Sequence, residues 1–564
     1  MLPSPRVSVV TPVFDQAAFL PRAIGSLVAQ EPRRWELVVV DDGSHGGVAA
    51  AVPDDPRIRL LRHGRNRGLG AALNTGLDAA HADLIAYLPA DDVFLAGHLA
   101  ELLRLLGDPG VVVAHTGCRP AGAGLQLVQL AHRRTRERWL ERSELESDDL
   151  ELLLLARLRP MGRVAASAAV TCGWTQHPGQ RHRALRPSCD GGVNTFRRRY
   201  RVAEPLRIHA DGALLADEAA RYARFTAWPT PAPGGLRVLL AGELAHNPER
   251  VLALEERGCE LFGAWIDDPL GFMTVGPLPF GHVRDVELDD WPEARPDVVY
   301  ALLNWRAVPL AHRVLAAGLP LVFHFKEAPQ RSMLRGEWSL LVDVLSGADA
   351  AILSSEEERA WLVAALPGRL DPARLHVLDG DLPKRDWLDA ERSRRLGEDD
   401  GQVHTVLLGR PYGVDDALRT GLARRGIRLH EHRGSLTPDR WVSELSRYDA
   451  GWLHPVRAAN GGDIRAATWD DLNLPARIPT LVAAGLPLIV PAPRPGAIHA
   501  AARLAGELGC GVLYEDLDDL AVQLRDGAGM ADRRAAVWSV RERLTFDHHA
   551  DALVALLERV AGAR

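Results

Sequence analysis

Four stretches decide the fold: RVSVVTPVF at 6–14, WELVVVDDGS at 35–44, NRGLGAALNTGL at 66–77 and DLIAYLPADD at 83–92. The first, second and fourth are apolar runs of strand length that stop abruptly at polar or turn residues. The third is a helix of small residues. Between the first two, AAFLPRAIGSLVAQ (17–30) places Leu20, Ile24, Leu27 and Val28 on one helical face, and IRLL (58–61) reads as a further strand. Strands alternating with helices predict a parallel sheet covered on both faces.

In such sheets ligands sit outside the carboxyl ends of the strands. Polar residues just after strands are therefore the first candidates. Thr11 and Pro12 close the first strand, and Asp41 and Asp42 close the second. Asn66, Arg67 and Asn74 flank the small-residue helix, and Asp91 and Asp92 follow the fourth strand. An acid at an early strand end can accept hydrogen bonds from a ribose or a base. Two acids after a later strand can hold Mg²⁺ or Mn²⁺, which favour carboxylate and phosphate oxygens. Taken singly, DDGS is a turn and an Asp-Asp pair is a solvated loop or a helix start. Their order and spacing together describe a nucleotide-diphosphate site with a metal.

The chain has 564 residues, which at ~100–200 residues per domain implies three or four domains. Hydrophobic residues make up 47% and charged residues 25%, a globular composition that excludes disorder or coiled coil as the main architecture. The net charge of −7 argues against a nucleic-acid coat or a polybasic membrane anchor. Only Lys326 and Lys384 are lysines, so the positive charge is nearly all arginine, which reads first as the signature of a GC-rich genome and second as a residue suited to phosphate. Cys118, Cys172, Cys189, Cys259 and Cys510 are scattered without a CxxC pair, which predicts reduced thiols, a cytoplasmic setting and no zinc site. The N-terminus runs straight into a strand with no leader pattern, and no apolar run reaches ~18 residues. Nucleic-acid and transmembrane roles are not expected, and a peripheral membrane contact stays open.

Residues 133–222 read as charged helices followed by the Gly/His/Arg-rich WTQHPGQRHRALRPSCDGG (174–192). AWPTPAPGGLR (227–237) reads as a linker. The alternation then restarts: LRVLLAGE, DVVYALLNW, PLVFHF and AAILSS form one set. TVLLGRP, IRLHEHR, AGWLHP, PLIVPA and GVLYED form another, and the last ~30 residues read as a helix packing back.

The four opening stretches resemble family 2 glycosyltransferases with the A-type fold, over roughly the first 200 residues. The resemblance implies that Asp41 and the TPVF turn bind the nucleotide and that the second acid of a DxD motif holds a metal. Asp91 occupies that second place. Pro89 stands where the first acid belongs, so Asp91 and Asp92 are left to bind the metal. The family's base opens a later helix. SELESDDLELLLLARL (143–158) supplies it, with Asp149 the choice and Asp148 next. Acids there also suit the start of a helix. His177, Arg181 and His182 fall where related transferases complete the metal and diphosphate site.

The chain from about residue 236 resembles B-type glycosyltransferases, two Rossmann-like halves around a cleft. WDDLNLPARIPTLVAAGLPLIVPA (469–492) is similar to the donor-binding half of family 4 enzymes. Arg477 falls at the family's basic position. Thr480 replaces the expected ribose-binding glutamate, and Leu472 replaces an acid eight residues earlier. Arg410, His324, Lys326, His454, Asn460, Asp471 and Asn473 are further polar candidates, with Arg410 and Arg477 facing a phosphate.

The reading is an α/β protein: an A-type glycosyltransferase domain at 1–226, a linker at 227–235, and B-type halves at 236–385 and 386–564. The expected activity is inverting, metal-assisted transfer of a sugar from a nucleotide-diphosphate donor to a glycan or lipid-linked acceptor, with Mn²⁺ or Mg²⁺. In the alternative, only the N-terminal domain is catalytic and the B-type unit binds the acceptor or serves as a scaffold. A non-catalytic sugar-nucleotide binder is a third reading, which Pro89 supports. A nucleotidyltransferase would want a Gly-rich basic loop after the first strand, and TPVFDQAAF lacks one.

Overall fold

A computed structural model describes residues 4–120, 124–222, 233–242, 248–265, 278–287, 291–303, 308–378, 384–388, 391–432 and 438–563. Most of the expected linker, 227–232, lies outside them. The described residues divide into two compact units, one at 4–222 and one at 233–563.

The first unit opens with β1 (Val7–Val13), α1 (Leu20–Val28), β2 (Trp35–Asp41), a single turn α2 (Val48–Ala51), β3 (Ile58–Arg62), α3 (Leu69–Ala79) and β4 (Leu84–Tyr87). It continues through β5 (Val93–Phe94), α4 (His98–Leu105), β6 (Val111–Arg119), β7 (Leu130–Arg133), β8 (Glu146–Ser147), α5 (Leu150–Leu158) and β9 (Arg163–Gly173). Last come α6 (Arg181–Leu185), α7 (Val193–Tyr200), β10 (Arg207–Ala210) and β11 (Ala213–Asp217). The main sheet runs β3-β2-β1-β4-β7-β6-β9-β5, and a small sheet runs β11-β10-β8.

Strands β1 to β4 pair in parallel, as their unbroken apolar runs require, since β1 and β2 are buried at every position. Beyond β4 the sheet turns mixed: β7 is antiparallel to β4 and β6, and β5 to β9. The segment 133–222 therefore contributes the long strand β9 and a second sheet as well as helices. The sequence RVAASAAVTCG of β9 hides this, because small residues with no alternation carry no period.

One face of the sheet packs Val9, Leu37 and Val39 against Ile24 and Leu27 of α1 and Leu99 of α4. The other packs Val10 and Tyr87 against Leu73 and Leu77 of α3, Trp139, and Leu150 and Leu154 of α5. Close packing explains the small residues of α3. A Cβ at Gly70 would lie 1.8 Å from the Leu140 carbonyl oxygen, and one at Gly76 would lie 2.3 Å from Val10 Cγ1. Asn74 locks the same interface: its Nδ2 donates to the Trp139 carbonyl at 3.0 Å, and its Oδ1 accepts from the Trp139 amide at 2.9 Å.

The second unit holds two sheets, parallel at every pairing. The first comprises β12 (Arg237–Gly242), β13 (Glu260–Ala264), β14 (Arg284–Asp285), β15 (Val298–Leu303), β16 (Leu321–Phe325), β17 (Ala350–Leu353) and β18 (Leu375–Val377), ordered β14-β13-β12-β15-β16-β17-β18. The second comprises β19 (Val403–Leu408), β20 (Ile427–His432), β21 (Ala450–Trp452), β22 (Leu488–Pro491) and β23 (Gly511–Tyr514), ordered β20-β19-β21-β22-β23. These are the two common doubly wound orders, in which the strand sequence reverses beside β12 and beside β19. The last helix, Phe546–Gly562, returns to the first sheet's side: Asp551 pairs with Arg257 at 2.6 Å and Asp547 with Lys384 at 3.1 Å. Among the described residues no helix is long and apolar enough to cross a membrane.

Two glycine-to-alanine changes test the packing of α3. Gly70→Ala should lower stability by about 1–3 kcal/mol by overpacking, although alanine is the better helix former. Gly25→Ala, in α1 with no neighbour within 4 Å, should raise stability by up to about 1 kcal/mol. Denaturant midpoints of the two variants, moving in opposite directions, are the measurement.

Candidate active site of the first unit

The carboxyl ends of β1, β2 and β4, the start of α5 and the segment 174–200 enclose a cavity of about 400 Å³. Its lining includes Pro12, Asp42, Asn66, Asp91, Asp92, Asp148, Asp149, His177, Arg181 and His182, ten residues expected from the sequence. Phe14, Phe196 and Tyr200 form an aromatic wall, Phe14 and Tyr200 stacking at 5.3 Å.

Strand alternation separates the two acids of DDGS. Asp41 ends β2, and its carboxylate accepts from the Ser44 amide at 2.9 Å and pairs with Arg62 at 3.3 Å, so it is not part of the cavity lining. Asp42 lines the cavity. Its carboxylate accepts from the amides of Arg67 at 2.9 Å and Gly68 at 2.8 Å and meets His63 Nδ1 at 2.6 Å. Burial still pushes the Asp42 carboxyl above the ordinary range, against those three bonds.

Asp91 Oδ2 lies 2.9 Å from His177 Nε2 and accepts from Gln16 at 3.2 Å, and His177 stacks on Phe19 at 4.8 Å. Asp92 turns to the Thr175 amide at 2.9 Å, and burial together with the adjacent Asp91 drives its carboxyl well up. His182 leans on Trp174 with ring centres 5.7 Å apart, and burial lowers its imidazole. Pro89, in the place of the first acid of a DxD motif, also lines the cavity. Among the described residues no group of three or more His, Cys, Asp or Glu is arranged to hold a metal ion.

The start of α5 sorts the acids there. Asp148 is buried, is held by Arg186 and accepts from the Asp211 amide at 3.3 Å. Asp149 stands at the helix start with its side chain 44% exposed and Arg186 4.0 Å away. Glu151, in the first turn of α5, also lines the cavity, and burial pushes its carboxyl up to about 7. Behind them Glu146 is buried between Arg142, at 2.9 Å, and Arg181. Burial raises the Glu146 carboxyl, but the two guanidiniums win and hold it below the ordinary value. Arg181 also donates to the Ser147 carbonyl at 2.7 Å, and its Nε is buried without a partner among the described residues.

Besides Asp41, three expected site residues stand apart from the cavity lining. Thr11 is buried with its hydroxyl unpartnered, Arg67 is half-exposed and 3.8 Å from Glu141, and Asn74 is the clamp on Trp139. Sequence reasoning missed Arg142, Glu146, Arg186, Arg199, Tyr200 and the raised Glu151. Only the Arg142–Glu146 spacing offered a signal, and it falls outside any helix, where spacing of four carries no meaning.

In the second unit Arg410 and His454 follow β19 and β21, the strands at the reversal point of their sheet. Arg477 donates to the Arg410 carbonyl at 2.9 Å, its Nη1 is buried without a partner among the described residues, and burial lowers the guanidinium to about 10. Tyr412 leans on His454 at 4.9 Å and donates to Asp470 at 3.0 Å. Asn460 and Asp471 serve the backbone, bonding Ile498 and capping at Thr468. His324 is buried, with Tyr300 2.8 Å from its Nδ1.

Residues 8–159 match the family model described as glycosyl transferase family 2. The succinoglycan biosynthesis protein ExoO of Rhizobium meliloti is 39% identical over 113 residues, covering 20% of this chain and 32% of that protein. The GalNAc(5)-diNAcBac-PP-undecaprenol beta-1,3-glucosyltransferase of Campylobacter jejuni is 32% identical over 105 residues, 18% of this chain and 34% of that one. Each match thus spans about a third of the relative's length. The solved structure of a mannosyltransferase from Pyrobaculum calidifontis in complex with GDP-Man and Mn²⁺ is 24% identical over 33% of this chain and 61% of that one, with a TM-score of 0.29. The match to the glycosyl transferase family 2 model thus lies within the first unit.

Proposed function

We propose that the first unit binds a nucleotide-diphosphate sugar in its cavity and transfers the sugar, with inversion, to a hydroxyl of a glycan or lipid-linked acceptor. The observation that carries this reading is the convergence of strand-end acids, the α5 acids and basic residues of 177–199 on one cavity within a family 2 domain. Asp42 and Asn66 sit where a ribose and base would lie. Arg181 and Arg199 line the cavity and suit the diphosphate. The acceptor class rests on the relatives named for succinoglycan biosynthesis and for an undecaprenol-linked glycan.

Asp149 is the general base in this reading. Of the two adjacent acids it is the exposed one, whereas Asp148 is neutralised by Arg186. The acceptor oxygen attacks the anomeric carbon, its proton passes to Asp149, and the bond to the diphosphate breaks with its electron pair leaving on phosphate. The residues fit a divalent cation: Asp91 and His177 converge to 2.9 Å, and such ions are held by one or two protein groups plus phosphate oxygens. Asp91 and His177 would hold Mn²⁺ or Mg²⁺. That cation, when bound, supplies charge neutralisation for the departing diphosphate. Asp92 and His182 have other partners and take a supporting place.

A second reading concerns the other unit. We infer that it is a B-type arrangement whose second half holds an anionic group at Arg477 and Arg410. The unpartnered Nη1 of Arg477 beside a reversal point favours it. The unit then serves as a second donor site or as an acceptor-binding module.

A donor-turnover screen over nucleotide sugars with Mn²⁺ tests the main reading. Asp149→Asn should lower kcat by about 10²–10⁴ with donor affinity retained. Asp91→Ala should weaken donor and Mn²⁺ binding together. Full transfer by Asp149→Asn would remove the base assignment. Arg477→Ala should leave turnover by the first unit intact while weakening binding of nucleoside diphosphate to the second, read by calorimetry; unchanged binding would sink the second reading.

Glu151 makes a pH prediction of its own. Its carboxyl sits near 7 in the folded chain against 4.5 for the free group, so the folded state holds the extra proton between these values. Its contribution to stability is complete below about 4.5 and is lost as pH rises through 7. Glu151→Gln should therefore lose less stability than the parent between pH 5 and pH 8, measured by denaturant unfolding.

A further inference from the structure

Beside the cavity, β6 and β9 set two cysteines next to each other. Cys118 and Cys172 are register partners on these adjacent parallel strands. Both are free thiols, Cys118 half-buried and Cys172 buried. Cys172 Sγ donates to the Gly117 carbonyl oxygen at 3.5 Å, on the strand of Cys118, and Cys118 Sγ donates to the Arg119 carbonyl oxygen at 3.6 Å. Neighbouring strands run about 4.8 Å apart. That spacing falls within the Cα separation of about 4.4–6.8 Å that a disulfide spans. The neighbouring Cys172 also holds the Cys118 thiol down, to about 7, which favours the reactive thiolate at the more accessible member of the pair.

The strand end that carries Cys172 leads straight to the site. Gly173 pairs with Val93 of β5, just after Asp92. The Trp174 amide donates to the Arg119 carbonyl at 2.9 Å, tying β9 back to β6 beyond the cysteines. The Thr175 amide donates to Asp92 at 2.9 Å, and Arg22 donates both to the Thr175 hydroxyl at 2.7 Å and to the Asp91 carbonyl at 2.5 Å. A change in the spacing of β6 and β9 at Cys118–Cys172 is therefore passed to the backbone that holds Asp91 and Asp92.

We propose that Cys118 and Cys172 are a reversible redox pair, closing to a disulfide under hydrogen peroxide and shifting the strand end that positions the Asp91–Asp92 loop. The Cys118 thiolate attacks one peroxide oxygen; the O–O bond breaks, the departing hydroxide is protonated to water, and Cys118 becomes a sulfenic acid. The Cys172 sulfur then attacks the Cys118 sulfur, the S–O bond breaks, and hydroxide leaves with the Cys172 proton as a second water. Two thiols are oxidised and one peroxide is reduced to two waters. The pair stands on its own geometry, and only its effect on turnover rests on the transferase reading.

The test uses the full chain, exposed to hydrogen peroxide, alkylated without reductant, digested and weighed. The expected result is a Cys118–Cys172 crosslinked peptide pair lighter by two hydrogens, released by dithiothreitol and absent from Cys118→Ser. Amide exchange across 173–180 should change several-fold on oxidation in the parent and stay constant in Cys118→Ser. Three results overturn the proposal: Cys118 advancing to sulfinic acid with Cys172 still alkylatable, a crosslink that runs to Cys189 instead, or a Cys118–Cys172 bond with unchanged exchange at 173–180. None of these readouts depends on sugar transfer, so a failed transferase reading is told apart from a failed redox pair.

Discussion

The first unit depends on one buried carboxylate. Glu146 is closed off from water between Arg142 and Arg181, and through them it joins three segments far apart in sequence. Arg142 donates onward to the Asn66 side chain at 2.5 Å and to its carbonyl at 3.2 Å, fixing the turn before α3. Arg181 fixes the start of α6 against Ser147, two residues from Asp149. The glycine at 68 answers to the same group: it adopts φ +99°, and a Cβ there would meet Glu146 Oε1 at 2.9 Å. Removing one partner of such a buried pair costs about 3–5 kcal/mol, because the charge left behind has no water. The cluster therefore acts as a positional constraint on the cavity wall more than as a source of net stability.

That constraint shapes what each acid around the cavity can do. Asp148 spends its charge on Arg186, and Asp92 and Glu151 are driven toward the neutral form by burial and neighbouring negative charge. Asp149 remains as the exposed carboxylate at the helix start, and Asp91 as the one beside an imidazole. Five acids close in space thus come to differ through their partners, and a site needs such differences if one group is to accept a proton while another holds a cation.

The sequence exposes strand ends better than it exposes partners. Apolar runs that stop at polar residues located β1, β2 and β4 and with them Asp42, Asp91 and Asp92. The same runs could not tell Asp41 from Asp42, because the division depends on which of two adjacent residues still belongs to the strand and pairs with Arg62. Asn74 looked like a ligand group and is a clamp on Trp139, a contact spanning 65 positions. Antiparallel β7 and the small-residue β9 were illegible for a different reason. Their burial comes from neighbours already laid down, so their own sequences need little period.

The second unit follows the same strand-end rule on two further sheets, with a different answer at the site. Leu472, where family 4 enzymes carry an acid, is buried in the core of the first half, and its carbonyl accepts from Ser355 at 2.6 Å. The position is used for packing, and a carboxylate there would be buried among apolar side chains. Thr480 sits inside the helix Ile478–Ala483, where its short side chain cannot reach as far as a glutamate. Near the reversal point Asp470 is taken up by Tyr412, and Arg477, whose guanidinium burial lowers, has no carboxylate paired to it among the described residues. A buried donor such as Arg477 Nη1, without a partner among the described residues, is electrostatically incomplete, and an anion at that edge would satisfy it without any help from the missing acids.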